Sequence, residues 1–320
     1  MSGDVMVFAE HLEGMATDST FELVALGRSL AEVTGGSVVA AVIGSGVGDV
    51  ADSMGGADKV LVVDDPALAS FNPEGHPRVF SALVQEGSPQ IVLVPYTSTG
   101  MDIAAHVAAV GGLPLVSYCQ DVRASDGLAA TCRLYAGKVE ADVTVSGDRA
   151  VFAVMSGAAS ADEGREGGAG VVEAVSAPDL SDLGVTFSSL NQPEAGDVDI
   201  TEQDVLVAVG RGIDSADNIK EAQELADALD GAVAASRPIV DQGWLPKTRQ
   251  VGKSGLTVKP KVYIALGISG APEHLEGMRD AEVIIAVNTD PQAPIFGAAH
   301  YGWTGDIFDL LPELVDRLEG

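Results

Sequence analysis

Twice along this chain, short runs of β-branched and small apolar residues alternate with segments whose apolar residues recur at three- and four-residue steps. That alternation constrains the fold more than any other feature, because it suits parallel strands joined by crossover helices. In the first half, 5–9, 37–43, 59–63 and 90–95 read as strands, and 19–33, 77–85 and 102–111 as helices. Leu23, Leu26, Leu30 and Val33 give the first helix one apolar face. After Pro114 the pattern changes. Segments 119–124, 128–135, 138–146 and 150–155 read as antiparallel strands, with turns at Ser125-Asp126-Gly127 and Ser146-Gly147-Asp148. Residues 158–170 are rich in Gly and Ala and read as an exposed loop. The second half restarts the α/β pattern: strands at 204–209, 232–236, 262–266 and 283–287, a helix from Asp214 or Ser215 to about Leu229 ended by Gly231, and a closing helix over 305–318.

The expected architecture is therefore α/β, with two domains that each hold a mainly parallel sheet flanked by helices. The first covers 1–190, an acidic linker covers 191–203, and a Rossmann-like domain covers 204–320. A chain of 320 residues is long enough for two cores. Forty-seven acidic residues face 18 basic ones, a net charge of −29. A field of that sign repels nucleic acid and anionic membranes. The acids are spread along the chain, which points to halophilic adaptation, since salt would screen the self-repulsion. The sequence shows neither an apolar run of membrane-spanning length nor a signal segment, so the expected location is the cytoplasm. Cys119 and Cys132 read as two buried thiols, and no Cys/His spacing suggests a metal site.

In such a layout ligands bind at the carboxyl ends of the strands. In the second half each strand end carries polar groups or glycines: Arg211 after the first, Ser236 and Arg237 after the second, Gly267-Ile268-Ser269-Gly270 after the third, Asn288 and Asp290 after the fourth. Glycines admit close backbone approach, and a helix starting near Ser269 would offer free N–H donors to an anion. From Gln242 to Pro272 there is no acidic residue, whereas Lys247, Arg249, Lys253, Lys259 and Lys261 all fall in that window. In so acidic a chain this suggests a pyrophosphate site or an acidic partner. Trp244 and Trp303 read as packing residues, and His11, His76, His106 and His300 belong to no constellation.

The run VYIALGISGAPEHLEGMRDAEVIIAVNTDPQAPIF (262–296) closely resembles the signature of electron-transfer flavoprotein α subunits. GRGI (210–213), ASR (235–237), QVGKSG (250–255) and YGWTGDIF (301–308) are similar to further blocks of that family in the same order. The similarity is dense over 205–314 and looser in the first half, where FAEH (8–11) opens it. The resemblance implies an electron carrier rather than an enzyme, with FAD held mainly by the second domain and a smaller β subunit completing the site in a heterodimer. By position it places Arg211, Ser236 and Arg237, then Val251, Gly252, Lys253 and Ser254, on the cofactor. It adds Ser269, Gly270, Ala271, His274, Asn288 and Asp306. Arg237 would lie near the isoalloxazine, the Ser254 hydroxyl near N5, and His274 near N1 and O2, where a protonated ring would favour the reduced state. Asn288 and Asp306 would serve the ribose and adenine end. Lys253 stands where the family often has Gln, Ser254 where Thr is usual, and Pro272-Glu273 where Ile-Gln is common.

Family members take electrons from acyl-CoA dehydrogenases or similar flavoenzymes and pass them to a membrane quinone oxidoreductase. Two other readings stay open. One is an electron-bifurcating member of the same family that uses NADH through its β subunit. The other is an NAD-dependent dehydrogenase, which calls for a G-x-G-x-x-G after a first strand. Neither 8–14 nor 210–215 supplies that pattern.

Overall fold

The computed structural model describes residues 3–135, 139–168, 170–190 and 198–319. The chain divides into two compact units, one of residues 1–134 and 138–189 and the other of residues 190–320 together with 135–137. Positions 191–197 of the expected linker lie outside the described residues. Ile200, a little further on, is buried in the core of the second unit.

The first unit contains β1 (Val5–Phe8), β2 (His11–Leu12), β3 (Met15–Ala16), β4 (Val38–Gly44), β5 (Lys59–Asp64), β6 (Ile91–Pro95), β7 (Leu115–Arg123), β8 (Ala129–Leu134), β9 (Val139–Thr144), β10 (Ala150–Val154) and β11 (Val171–Ala174). Its helices are α1 (Asp18–Thr34), α2 (Gly48–Asp52), α3 (Gly75–Gly87), α4 (Ser98–Gly111) and α5 (Ala161–Arg165). Nine of these strands form one sheet in the order β11-β5-β4-β1-β6-β10-β7-β8-β9. Side-chain alternation along β1 shows why it is covered on both faces. Val5, Val7 and Ala9 enter one apolar cluster, whereas Met6 and Phe8 enter another on the opposite face. The Thr17 hydroxyl caps α1 by accepting from Thr20 N, and Gly35 ends it in the left-handed region.

Two expectations for this unit change. Strand β10 is not part of the antiparallel meander; it lies between β6 and β7 and runs parallel to both. The reason is composition. All five residues of AVFAV are buried, which suits a central strand rather than the edge of a hairpin. The stretch 158–170 is also not wholly loop, since Ser160 caps the short helix α5 there. The antiparallel part is β7-β8-β9, with Cys119 and Cys132 directly opposed across β7 and β8 and both buried as thiols.

The second unit contains β12 (Val205–Val209), α6 (Ile219–Ala228), β13 (Ala232–Ala235), α7 (Arg237–Asp241), β14 (Val262–Leu266), α8 (Pro272–Glu276), β15 (Val283–Asn288), β16 (Tyr301–Thr304) and α9 (Ile307–Glu319). Every strand pairing in its sheet is parallel, in the order β13-β12-β14-β15-β16. The edge strand β16 is additional to the sequence reading: Tyr301, Gly302, Trp303 and Thr304 are all exposed, so burial patterning gives no signal there. The helix expected from Ser269 is only the five residues of α8, because Pro272 fixes its first turn and Gly277 follows at once. Among the described residues no helix is long and apolar enough to cross a membrane.

Strand β10 sits between two parallel neighbours, and Phe152 at its centre is completely buried. Phe152→Ala should therefore cost roughly 3–5 kcal/mol of stability, read as a lower urea midpoint for the first unit.

Candidate functional site

In the order β13-β12-β14-β15-β16, chain direction across the sheet reverses between β12 and β14. This is the switch point, where two connections leave in opposite directions and open a crevice. The turns that leave these two strands touch backbone to backbone. Gly210 N–H donates to Leu266 O at 2.8 Å, and Gly212 N–H to Gly267 O at 3.1 Å. A Cβ on Gly212 would lie 2.6 Å from the Gly267 Cα, and one on Gly267 would lie 2.5 Å from the Gly212 Cα. Gly267 also has φ +61. These glycines are therefore required by the protein's own packing before any ligand is considered. Arg211 lies between them on an exposed 3₁₀ turn.

The second part of the site is the loop 250–256, which rests against α8. Lys253 N–H donates to Glu273 O at 2.7 Å, and a Cβ on Gly252, which has φ +130, would lie 2.7 Å from that same carbonyl. Gln250 is almost fully buried. Lys247 Nζ donates to Gln250 Oε1 at 3.0 Å and to Ser254 O at 2.6 Å, and Gln250 Nε2 donates to Ser254 Oγ at 2.9 Å. The basic window thus has internal uses. Lys247 holds this loop, Arg249 donates to Val233 O at 2.7 Å, and Lys261 pairs with Asp204 at 2.7 Å.

His274 is buried on α8, and its Nε2 lies 2.9 Å from the hydroxyl of Tyr263, a fully buried residue of β14. Nδ1 is buried and makes no hydrogen bond among the described residues. Burial lowers the His274 pKa from 6.5 to about 4, with the Val251 backbone beside the ring offsetting part of the shift. The ring is therefore neutral near pH 7. The condition under which His274 would supply a positive charge is therefore not met near pH 7, where a neutral ring offers polarity alone.

The remaining predicted residues are spread along the same carboxyl edge. Ser236 N–H donates to Val209 O at 3.0 Å, tying the end of β13 to the end of β12. Arg237 is exposed and pairs with Asp241 at 3.3 Å. Ser269 O accepts from Ile295 N–H at 3.0 Å, and Gly270 packs on the same segment. Ala271 precedes α8. Asn288 Nδ2 donates to Ile268 O at 2.9 Å, and the Asp306 carboxylate accepts from Phe308 N–H at the start of α9. The structure thus gathers Val251, Gly252, Lys253, Ser254 and His274 into one cluster and links Asn288 to the 267–270 turn. Arg237 and Arg211 extend from the rim. Sequence reasoning read Lys247 only as part of the basic window and passed over Gln250 and Tyr263. Gln250 directly precedes the glycine block and Tyr263 sits inside the signature, but neither is a residue type that motif reading singles out. The histidines outside the site have local partners: His11 with Ile43 O, His76 with Asn72, His106 with Ser81 and His300 with Ile284. Among the described residues no group of three or more His, Cys, Asp or Glu side chains could hold a metal ion.

Residues 5–180 match the electron transfer flavoprotein domain, and residues 199–279 match the electron transfer flavoprotein FAD-binding domain. The chain belongs to the electron transfer flavoprotein α-subunit family. It is 37% identical over 317 residues to the electron transfer flavoprotein subunit alpha of Syntrophomonas wolfei, covering 98% of each chain. It is 34% identical over 323 residues to the protein of that description from Bacillus subtilis, covering 100% of this chain and 98% of the relative. At 34% identity it also matches the lactate dehydrogenase (NAD(+),ferredoxin) subunit LctC of Acetobacterium woodii, covering 99% of this chain and 77% of the relative.

The cofactor is FAD, and the second unit fits it. A buried ring nitrogen without a hydrogen bond, and exposed hydroxyl and guanidinium groups at the carboxyl ends of a parallel sheet, suit a flavin dinucleotide.

The neutral His274 carries a pH signature. Above about pH 6.5 neither folded nor unfolded chain protonates it. Between about 6.5 and 4 only the unfolded chain takes up the proton, so stability falls with pH; below about 4 the loss is complete. Acidification from pH 7 to 5 should cost the second unit about 2 kcal/mol through this residue. Trp244 and Trp303 are the chain's two tryptophans and both lie in this unit, so their fluorescence in urea reports it. His274→Gln should remove that part of the pH dependence.

Proposed function

We propose that this chain is the FAD-carrying subunit of a heterodimeric electron carrier, completed by a β subunit. In this reading it takes electrons from acyl-CoA dehydrogenases or similar flavoenzymes and delivers them to a membrane quinone oxidoreductase. The observation that carries the proposal is the cluster of the 250–256 loop on α8 beside the switch point. It presents donors and a buried polar nitrogen but no nucleophile with an adjacent base. FAD supplies the redox chemistry when bound. The chain's residues would set its environment: Arg237 with fixed charge, His274 with a neutral polar contact, Ser254 with a hydroxyl, and Asn288 and Asp306 at the far end. The first unit would carry much of the contact with the partner. A second reading is favoured by the relative named for NAD(+) and ferredoxin, which is 34% identical, as the Bacillus protein is, over 77% of its own length. It makes this chain part of a bifurcating complex, with NADH bound through the partner. The partner's sequence would separate the two.

Co-expression with the partner should yield a yellow 1:1 complex holding FAD on this chain; a complex that stays colourless after incubation with FAD would overturn the proposal. Adding an electron places negative charge on the flavin, and Arg stays charged at any working pH. Arg237→Ala should therefore lower the midpoint potential by roughly 40–130 mV, nearer the lower end because Asp241 offsets part of the charge. Arg237→Lys should fall between. An unchanged midpoint would remove Arg237 from the ring.

The charge of −29 motivates a further part of the proposal, a salt-rich working environment. The thermal midpoint of the complex should rise from low to multimolar KCl. A flat or falling midpoint would argue against halophilic adaptation.

A further inference from the structure

Lys247, Gln250 and Ser254 form a chain of hydrogen bonds whose direction is set by charge. An ammonium group has donors and no acceptor. Lys247 Nζ sits 3.0 Å from the Gln250 side chain, so the amide must turn its oxygen toward the lysine. The amide nitrogen then faces Ser254 and donates to Oγ at 2.9 Å. Gln250 is almost fully buried, and Lys247 also grips Ser254 O at 2.6 Å, so both ends of the chain are held in place. A hydroxyl has one proton and two acceptor positions. With one acceptor position of Ser254 Oγ filled by an N–H, its proton cannot turn toward Gln250 and must point away from the loop's interior, on an exposed residue at the site.

We propose that Lys247 and Gln250 are positioning residues that keep the Ser254 hydroxyl proton off the loop and available for donation to an acceptor atom of the cofactor. This rests on the reading that Ser254 contacts FAD. Ser254 alone would be free to donate or accept. The relay keeps the proton from being donated to Gln250, so the site favours the cofactor state whose facing atom carries a lone pair. Lys247 thereby acts on the flavin without touching it, through a neutral side chain that carries polarity rather than charge.

The test is a double-mutant cycle on the FAD-loaded complex, reading FAD affinity and flavin midpoint potential. Ser254→Ala should weaken FAD binding about tenfold. Gln250→Glu keeps the shape but removes the inner donor. The Ser254 proton then turns inward and a lone pair faces the cofactor, so the loss should match or exceed that of Ser254→Ala. In the Ser254→Ala background the effect of Gln250→Glu should shrink at least fivefold. Any effect of the added charge alone is common to both backgrounds and cancels in the cycle. Lys247 is exposed, so Lys247→Met provides a variant with little risk to folding. It should give a smaller loss in the same direction, and Lys247→Arg should restore wild-type behaviour. If Ser254→Ala alters affinity and potential while Gln250→Glu and Lys247→Met do not, the relay is wrong. If the two losses simply multiply, Gln250 acts only on loop structure and the relay is again wrong. If Ser254→Ala changes neither quantity, the contact between Ser254 and FAD is wrong, and the relay falls with it.

Discussion

The second unit depends on two backbone turns that occupy the same space. Gly210 and Gly212 leave β12, Gly267 leaves β14, and no side chain fits between them. That contact locks the carboxyl ends of the two central strands at the point where the sheet changes direction. Everything that defines the site hangs from it. The 267–270 turn receives Asn288 from β15 and the 295 segment from the other side. It also sets where α8 begins, and α8 in turn holds the 250–256 loop. A methyl group at Gly212 would therefore act on the site through the turns rather than through any ligand contact.

Electrostatics is organised against a strongly acidic background. The 242–272 window contains no acidic residue, and three of its five cations have clear internal partners. Lys247 donates to an amide and a carbonyl oxygen of its own loop, and Arg249 donates to the Val233 carbonyl of β13. Lack of acids in this window is as consequential as presence of bases. A carboxylate here would compete for the Lys247 ammonium that holds the 250–256 loop. Exposed ion pairs flank this pattern: Lys261 with Asp204, and Arg237 with Asp241 of its own helix, which partly offsets the arginine's charge.

Much of this was legible in the residues. Alternating periodicity gave both parallel sheets, since β1 and β12 place successive residues in different cores. The antiparallel β7-β8-β9 meander was visible because its turns carry Gly and Asp. Strand β10 was misplaced because sequence order suggests a neighbour, whereas its five buried residues demand a central position. Strand β16 was invisible because an exposed edge strand has no buried face to leave a pattern. At the site, the glycines and hydroxyls of the loop stood out, but Gln250 and Tyr263 did not. Their importance comes from what they touch across the fold, and a buried glutamine is recognised only once its partners are known.

The same distinction explains why His274 reads differently in sequence and in structure. A histidine inside a cofactor signature suggests a cation, since its ordinary pKa lies near neutrality. Here the ring lies in the core behind a fully buried Tyr263, and desolvation keeps it neutral. Tyr263 is itself pushed well above its ordinary value by burial, so it remains a phenol and the pair carries no charge in either member. The second unit thus separates two functions that a single protonated histidine would combine. Fixed charge sits at the exposed rim on Arg237, where solvation of a guanidinium costs the fold nothing. Polarity without charge sits inside, at His274 and Tyr263, where an ion would destabilise the sheet that positions it. A buried cation would favour reduction more strongly, but it would need a compensating carboxylate next to the flavin. Dipoles fixed by glycine-tight turns avoid that requirement.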